Sequence, residues 1–589
     1  MYNALLDVNG DAQINGIRIG KGNSGLSSNM VIGSDSALAY NTTGINNVAI
    51  GRGAMKANTT GQNNVAVGYT ALQKNKIESN NTAVGNGALA NHYIGTSNTA
   101  IGAGALFEDT SGFNNTALGV RVLYNNKDGF NNVGIGYSSL DSNDEGNSNS
   151  ALGVYSLMSN KSGYANCAVG RSSLRMNRSG YENSALGYLA LIDNTSGHEN
   201  VGVGSNSMNS NTTGSGNVGV GFAALQGNFT GNYNTAVGYQ AMHSSSSTYG
   251  STAMGYNAAY YNSTGISITA IGTQASYRNT TGNFNTAIGA EASYSNTTGD
   301  YNTTLGYYAA RSGNTSSNNT AIGYRALDSN TTGSSNTVMG FNALARNKGA
   351  FLNTAIGFSA GATYVNGSGN TFVGQSADVS SAGLGNVLAL GQYASGTASN
   401  QVTVGNTASN AYRVYANWSN ISDGRYKKNI TGNVPGLAFI NKLQAVTYNL
   451  DAAGLDQLLN PGRKKGMEGN GEAASQYNQA LQEKAAITYT GFIAQDVEKA
   501  AKELNYNFSG VDIPKNDKDV YGLRYAEFVV PLVKAVQELS VENGKLKIKN
   551  EEVDVLKTQL INQQKQIDEL KEALIKLVNQ QKCVPTTVK

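Results

Sequence analysis

Between residues 51 and 391 a glycine preceded by an aliphatic residue returns at 51, 68, 85, 102, 119 and onward to 374 and 391, a period of 17 positions kept without a slip. Twenty-one copies in constant register leave few options, because a unit this small cannot enclose a core and must stack on its neighbours. The consensus reads Asn-Thr-Ala-Ile-Gly-x-x-Ala-Leu-x-x-Asn-Thr-Thr-Gly-x-x, almost unaltered at Asn285 to Gly289 and from Asn319 to Leu327. Thr-Ala-Ile, short and β-branched, predicts a strand. The glycine after it permits a sharp turn, Ala-Leu predicts a second short strand, and Asn-Thr-Thr-Gly supplies residues that tolerate turn geometry. One repeat is one coil of a parallel β-solenoid, with a rise of about 4.8 Å per coil and roughly 100 Å for the array. Asn stands four places before the glycine in 18 of the 21 copies, from Asn47, Asn64, Asn81 and Asn98 onward, and is expected to stack as an amide ladder. Irregular spacing at Gly20 and Gly33 on one side, and between Gly391 and Gly405 on the other, marks caps or attachment segments.

Each coil offers about two sizeable apolar side chains, such as Ile322 and Leu327, besides its alanines. At roughly 1.5–3 kcal/mol per buried large side chain, this is little against the entropy of ordering a whole coil. Association of several chains about a common axis would bury the remaining apolar face, and a trimer is expected. An independent signal lies at the C-terminus, where Leu532, Leu539, Leu546, Val553, Leu560, Ile567 and Leu574 hold one heptad position. Ala535, Glu542, Lys549, Leu556, Gln563, Leu570 and Leu577 hold the other. That seam predicts a parallel coiled coil of roughly 70 Å, its polar residues setting register.

Composition narrows the function. With 72 glycines, 5 prolines, one Trp and 13% charge the chain does not read as an ordinary enzyme. A net charge of +3 without a basic cluster in the repeats argues against a nucleic-acid partner. The absence of an apolar run of about 18 residues argues against membrane insertion. Met1-Tyr2-Asn3-Ala4-Leu5-Leu6 lacks the features of a signal peptide, so exit by lysis, by a dedicated machine, or a trimmed natural N-terminus is expected. Cys167 and Cys583 are not expected to pair. His92, His198 and His243 read as solvated surface residues, and neither a metal nor another cofactor is expected. Asp109, Asp128, Asp144 and Glu145 are scattered over loops, so no glycan-degrading site is expected in the repeats. Thr82, Thr99, Thr116, Thr235 and Thr286 read as a structural row. Phe113, Phe130, Tyr164, Tyr181, Tyr233 and Phe284 read as packing between turns or as stripes that stack on sugars.

The repeats, over approximately residues 30 to 405, resemble the head repeats of trimeric autotransporter adhesins, which share the Asn-Ser/Thr-x-Ala-Ile-Gly strand followed by Ala. That resemblance implies a left-handed parallel β-roll in a trimer. The period here is longer than in those heads, and a membrane-anchor β-barrel is lacking.

After Trp418 the composition changes. Ser422-Asp423-Gly424-Arg425-Tyr426-Lys427 is followed by Gly491-Phe492-Ile493-Ala494-Gln495-Asp496-Val497-Glu498. Tyr521-Gly522-Leu523-Arg524-Tyr525 then leads into Phe528 and the heptads. These motifs, in this order, resemble the C-terminal intramolecular chaperone of the endosialidase tailspike family, over about residues 420 to 545. The resemblance implies trimerisation of a phage tailspike or tail fibre, then self-cleavage before the motif serine. Carried onto this chain, the cut falls between Ile421 and Ser422, with Ser422 as nucleophile and Lys427 as its basic partner. Asp423 and Arg425 would orient the loop or hold the oxyanion, and Gln495 is a weaker helper. A lysine accepts a proton only when neutral, and moving an ordinary lysine from about 10.4 to 7 or 8 costs on the order of 4 kcal/mol, which an unfolded chain cannot impose. Cleavage should therefore wait for assembly.

The expected chain is thus mainly β. Residues 1–33 form a cap or attachment segment, 34–405 a trimeric 17-residue-coil β-solenoid and 406–421 a neck. Residues 422–531 form a small α+β chaperone domain, 532–582 a parallel coiled coil and 583–589 a tail. The expected function is a homotrimeric tail fibre or receptor-binding rod of a phage or phage-like particle, matured by its own serine peptidase chaperone. Its partners would be a host-surface glycan or protein receptor and, through the N-terminus, a tail or baseplate protein; its place would be the virion tail or an extracellular phage-like particle. A bacterial surface adhesin built from the same modules is the alternative.

Overall fold

The computed structural model describes residues 10–22, 24–34, 36–363, 366–416, 418–460 and 471–581. Residues 1–9 of the expected cap, Cys583 and the tail 583–589 lie outside the described residues. Contacts divide the chain into Met1–Asn406 and Thr407–Lys589.

In the first unit each Thr-Ala-Ile triplet becomes one strand, and successive strands pair in parallel residue for residue. Thr82 sits beside Thr99 and Thr99 beside Thr116, with Ala83, Ala100 and Ala117 aligned in the same way. The alanines point inward and are fully buried, while the flanking residues face out, as strand alternation requires. At the N-terminal end β1 (Ala12–Ile14), β2 (Ile17–Gly20) and β3 (Met30–Gly33) join antiparallel, and β3 then pairs in parallel with β4 (Val48–Ile50). This small meander covers the first edge of the 25-stranded sheet.

The second strand expected at Ala-Leu does not form. Leu72, Leu89 and Leu106 adopt left-handed backbone, with φ of 50°, 49° and 51°, and the pair belongs to a turn. Left-handed backbone costs a non-glycine residue roughly 1–2 kcal/mol. Two gains offset it. The leucine side chains are fully buried, worth about 1.5–3 kcal/mol each, and their amides reach the next coil, Leu72 to the Ala88 carbonyl at 3.0 Å and Leu89 to Ala105 at 2.9 Å. Thr70, also left-handed, donates backwards to Arg52 at 3.0 Å. Alternating backbone handedness thus aims successive peptide groups up and down the stack. Glycine is required where the coils touch most closely: Gly68 has φ +139°, and a Cβ there would meet the Gly85 carbonyl oxygen at 2.3 Å.

The expected amide ladder is present and buried: the Asn64 amide N–H donates to Asn47 Oδ1 at 3.0 Å, and Asn81 to Asn64 Oδ1 at 2.9 Å. A second ladder, read from the sequence only as turn chemistry, runs through the Asn of Asn-Thr-Thr-Gly. Asn177 Nδ2 donates to Asn160 Oδ1 at 2.8 Å and to the Gly180 carbonyl at 2.9 Å, and Asn194 Nδ2 donates to Asn177 Oδ1 at 2.8 Å. His92 and Asp109 occupy this row, which corrects the expectation of a solvated His92 and a loop Asp109. Both are fully buried, with His92 Nδ1 2.7 Å from Asp109 Oδ2 and Nε2 2.7 Å from the Gly95 carbonyl. The ladder position, pointing inward in every coil, forces them inside. Burial pushes the Asp109 carboxyl upward, against its hydrogen bond and charge interaction with His92. His198 and His243 are half-buried, stacked on Tyr181 and Tyr260 at 4.6 and 4.8 Å.

The aromatic rows pack between coils. Phe113 stacks on Phe130 and Tyr164 on Tyr181, both at 4.8 Å, and Phe284 stacks on Tyr301 at 5.1 Å.

The second unit holds a short helix α1 (Leu437–Ile440), an antiparallel strand pair, Val446–Asn449 with Thr488–Gly491, and helices α2 (Ala452–Leu459), α3 (Gly471–Ala486) and α4 (Ala494–Glu503). The 53-residue helix α5 (Val529–Gln581) follows. Its first turns are packed, Pro531 and Ala535 being buried, and Glu538 accepts from the Leu437 amide at 2.7 Å. The heptad leucines from Leu532 to Leu574 are all exposed on the single helix, a face consistent with a coiled coil.

Replacing Asn177 by Ala removes the donor to Asn160 Oδ1 inside a dry row. Expected is a loss of about 2–3 kcal/mol, seen as faster amide exchange in the coils around 160–194; unchanged exchange would show that the ladder does not hold the coils. Asp378, buried near the C-terminal end of the solenoid, has its carboxyl pushed up to about 6 by burial, against hydrogen bonds from Thr363 and Val379. A raised folded-state value means stability that is full below the unfolded value of 3.8 and lost as pH rises through about 6. Wild type should therefore lose about 3 kcal/mol between pH 4 and pH 8 relative to Asp378→Asn, measured by denaturant titration of this unit. Parallel pH profiles for the two proteins would refute it.

Candidate functional site

Between Asn410 and Ile430 the described chain carries little regular structure, and the one local device in it is made by the motif itself. Asp423 caps a single 3-10 turn, Gly424–Tyr426, by accepting from the Arg425 amide at 2.9 Å. The Arg425 guanidinium folds back onto the same carboxylate, Nη2 to Oδ2 at 2.6 Å and Nε to Oδ2 at 2.9 Å, which holds the Asp423 carboxyl below its ordinary range. This tight turn brings the side chains five residues apart together. Lys427 Nζ donates to Ser422 Oγ at 2.8 Å.

Ser422, Asp423, Arg425 and Lys427 thus form one cluster, while Ile421, on the carbonyl side of the expected cut, is almost fully exposed at 96%. Asp423 and Arg425 are committed to each other rather than to Ser422 or Lys427. Gln495 stands elsewhere, in the first turn of α4, where it lines a cavity of about 580 Å³ with Tyr448, Phe492, Tyr521 and Tyr525. Ser422 and Lys427 are not among that cavity's lining residues. Among the described residues no cluster of three or more His, Cys, Asp or Glu could hold a metal, and no helix is long and apolar enough to cross a membrane.

The downstream motifs build the support. Phe492 stacks on Phe528 at 5.5 Å, Phe508 meets Phe528 edge-on at 4.8 Å, and Phe439 packs on Phe508 at 5.0 Å. Val497, Ala500 and Ala501 of α4 complete this core. Tyr525 accepts from the Phe492 amide at 3.1 Å, and Tyr521 donates to Glu498 at 2.9 Å. The two downstream motifs, far apart in sequence, therefore form one core with Phe439 and Phe508, from which α5 departs.

Residues 422–506 match a family model described as chaperone of endosialidase, and the match begins on Ser422 itself. No curated protein matches the chain. The molecule is a parallel β-solenoid of 17-residue coils joined to a small α+β unit and a long C-terminal helix. Within that molecule, residues 422–506 are similar to a chaperone domain of the endosialidase type.

Proposed function

We propose that this chain is a homotrimeric tail fibre or receptor-binding rod of a phage or phage-like particle, in which the C-terminal unit aligns three copies and then cuts itself free. The observation that carries the reading is the 2.8 Å hydrogen bond between Lys427 Nζ and Ser422 Oγ at the first residues of the chaperone match. The exposed heptad face of α5 supports a three-stranded seam, and Glu538, bonded to α1, ties that helix to the chaperone core.

Both members of the pair are exposed on the single chain. An ammonium that donates to a hydroxyl cannot take its proton; burial by neighbouring copies favours the neutral amine. Ser422 Oγ then attacks the Ile421 carbonyl carbon while its proton passes to Lys427. Collapse breaks the Ile421–Ser422 C–N bond, the Lys427 proton moves to the departing α-amine, and an ester joins Ile421 to Ser422 Oγ. Water hydrolyses the ester, leaving an Ile421 carboxylate and restoring the hydroxyl.

On a denaturing gel wild type should give two fragments meeting at Ile421 and Ser422, and Ser422→Ala one full-length band. Lys427→Ala should slow the cut by about 100-fold or more without changing the trimer in light scattering. Identical banding of wild type and Ser422→Ala would defeat the assignment, and monomeric Lys427→Ala would make that lysine structural.

A further inference from the structure

The proposed cut removes one peptide bond, but within the second unit the segment from Thr407 to Ile421 is also held by side chains on the far side of the bond. Thr407, buried at 7% exposure, donates through its hydroxyl to Asp456 of α2. The Tyr477 hydroxyl of α3 stands 2.7 Å from Thr407 Oγ1 and donates to the same Asp456 oxygen at 3.2 Å. Asn460 Nδ2 reaches that oxygen as well, at 3.2 Å, fixing the carboxylate. Two residues on, Lys484 of α3 donates to the Ser409 carbonyl at 2.7 Å. Next to it a cavity of about 200 Å³ is lined by Ser409, Tyr412, Tyr448, Leu450, Lys484 and Tyr489, among others. Past Ser409 the described residues up to Ser422 are exposed. The chain is gripped behind the cut and loose at the cut.

We infer that cleavage does not by itself release the chaperone: Asp456, Tyr477 and Lys484 form a binding surface for the new C-terminal tail of the processed shaft, and dissociation is a second, separable step. The inference rests on the proposed cleavage. All the gripping side chains belong to the 422–589 product, while Thr407 and Ser409 belong to the other, so the contacts become intermolecular the moment the bond breaks. A hydrogen bond to a carboxylate, here the half-buried one of Asp456, is among the stronger neutral-donor contacts. In a trimer three such grips would have to open together, which multiplies retention without any new contact.

The test uses the full-length protein after it has cut itself. A denaturing gel reports the cut, and native gel filtration of the same sample reports the grip. Wild-type fragments should co-elute, whereas Thr407→Val, which leaves the chaperone sequence untouched, should lose its chaperone about tenfold faster or more. Asp456→Asn combined with Lys484→Ala should do the same, all with unchanged band ratios on the denaturing gel. Cut wild-type fragments that separate on their first passage, or Thr407→Val fragments that stay together as long as wild type, would overturn the inference. If wild type remains uncut, the cleavage reading fails alone. A site-specific protease sequence replacing residues 418–421 then makes the cut, and the same column decides the grip by the same two outcomes.

Discussion

Most of the hydrogen bonds of the repeat unit reach the coil before or after it. Strand amides, the left-handed leucine amides and both asparagine rows all reach 17 residues or thereabouts along the chain. A coil cut out of this stack would have a few buried alanines, one leucine and a set of unpaired donors and acceptors. Stability is therefore a property of neighbouring pairs, and it accumulates only once several coils are in register. The same dependence explains why close contact between glycines recurs without interruption: a single Cβ at Gly68 would collide with the carbonyl above it and open the stack on both sides.

Such an array has a difficult beginning, because backbone order must be established before the interactions that reward it exist. Register errors are the specific hazard, since all coils are chemically alike. The departures from the consensus are informative here. His92 and Asp109 meet where neighbouring coils pair two amides, and Asp109 also accepts from Asn126 Nδ2 at 2.7 Å, so the row continues through them.

The segment from Ser422 to Lys427 follows the opposite logic. Its chemistry is assembled locally by a five-residue turn, independent of the core built by Phe439, Phe492, Phe508 and Phe528. In one chain the Ser422–Lys427 pair is in hydrogen-bond contact, and both partners are exposed. Under the proposed function, the missing ingredient is a covering surface rather than another residue, which couples bond breaking to assembly. The grip on Thr407 and Ser409 then separates breaking the bond from parting the products.

Much of this was legible from residue order. The Thr-Ala-Ile strands, the first asparagine ladder and the long heptad helix follow from local rules, side-chain branching and a fixed period, whereas Ser422 and Lys427 were paired by the resemblance and their contact is made by a turn that Asp423 caps. Gln495, read as a weaker helper and more readily as structural, lies in an aromatic-lined cleft on α4. The Asp456, Tyr477 and Lys484 grip carries no motif and could not be foreseen. Repetition by itself determined that the chain stacks, at what period, and where the stack gives way to helix, because periodic apolar and glycine positions admit no other arrangement. Which way the leucines turn, which histidine is buried, and which residues hold the neck were decided only in three dimensions. Those outcomes depend on what the adjacent coil or helix offers as a hydrogen-bond partner, and that is information no single stretch of sequence contains.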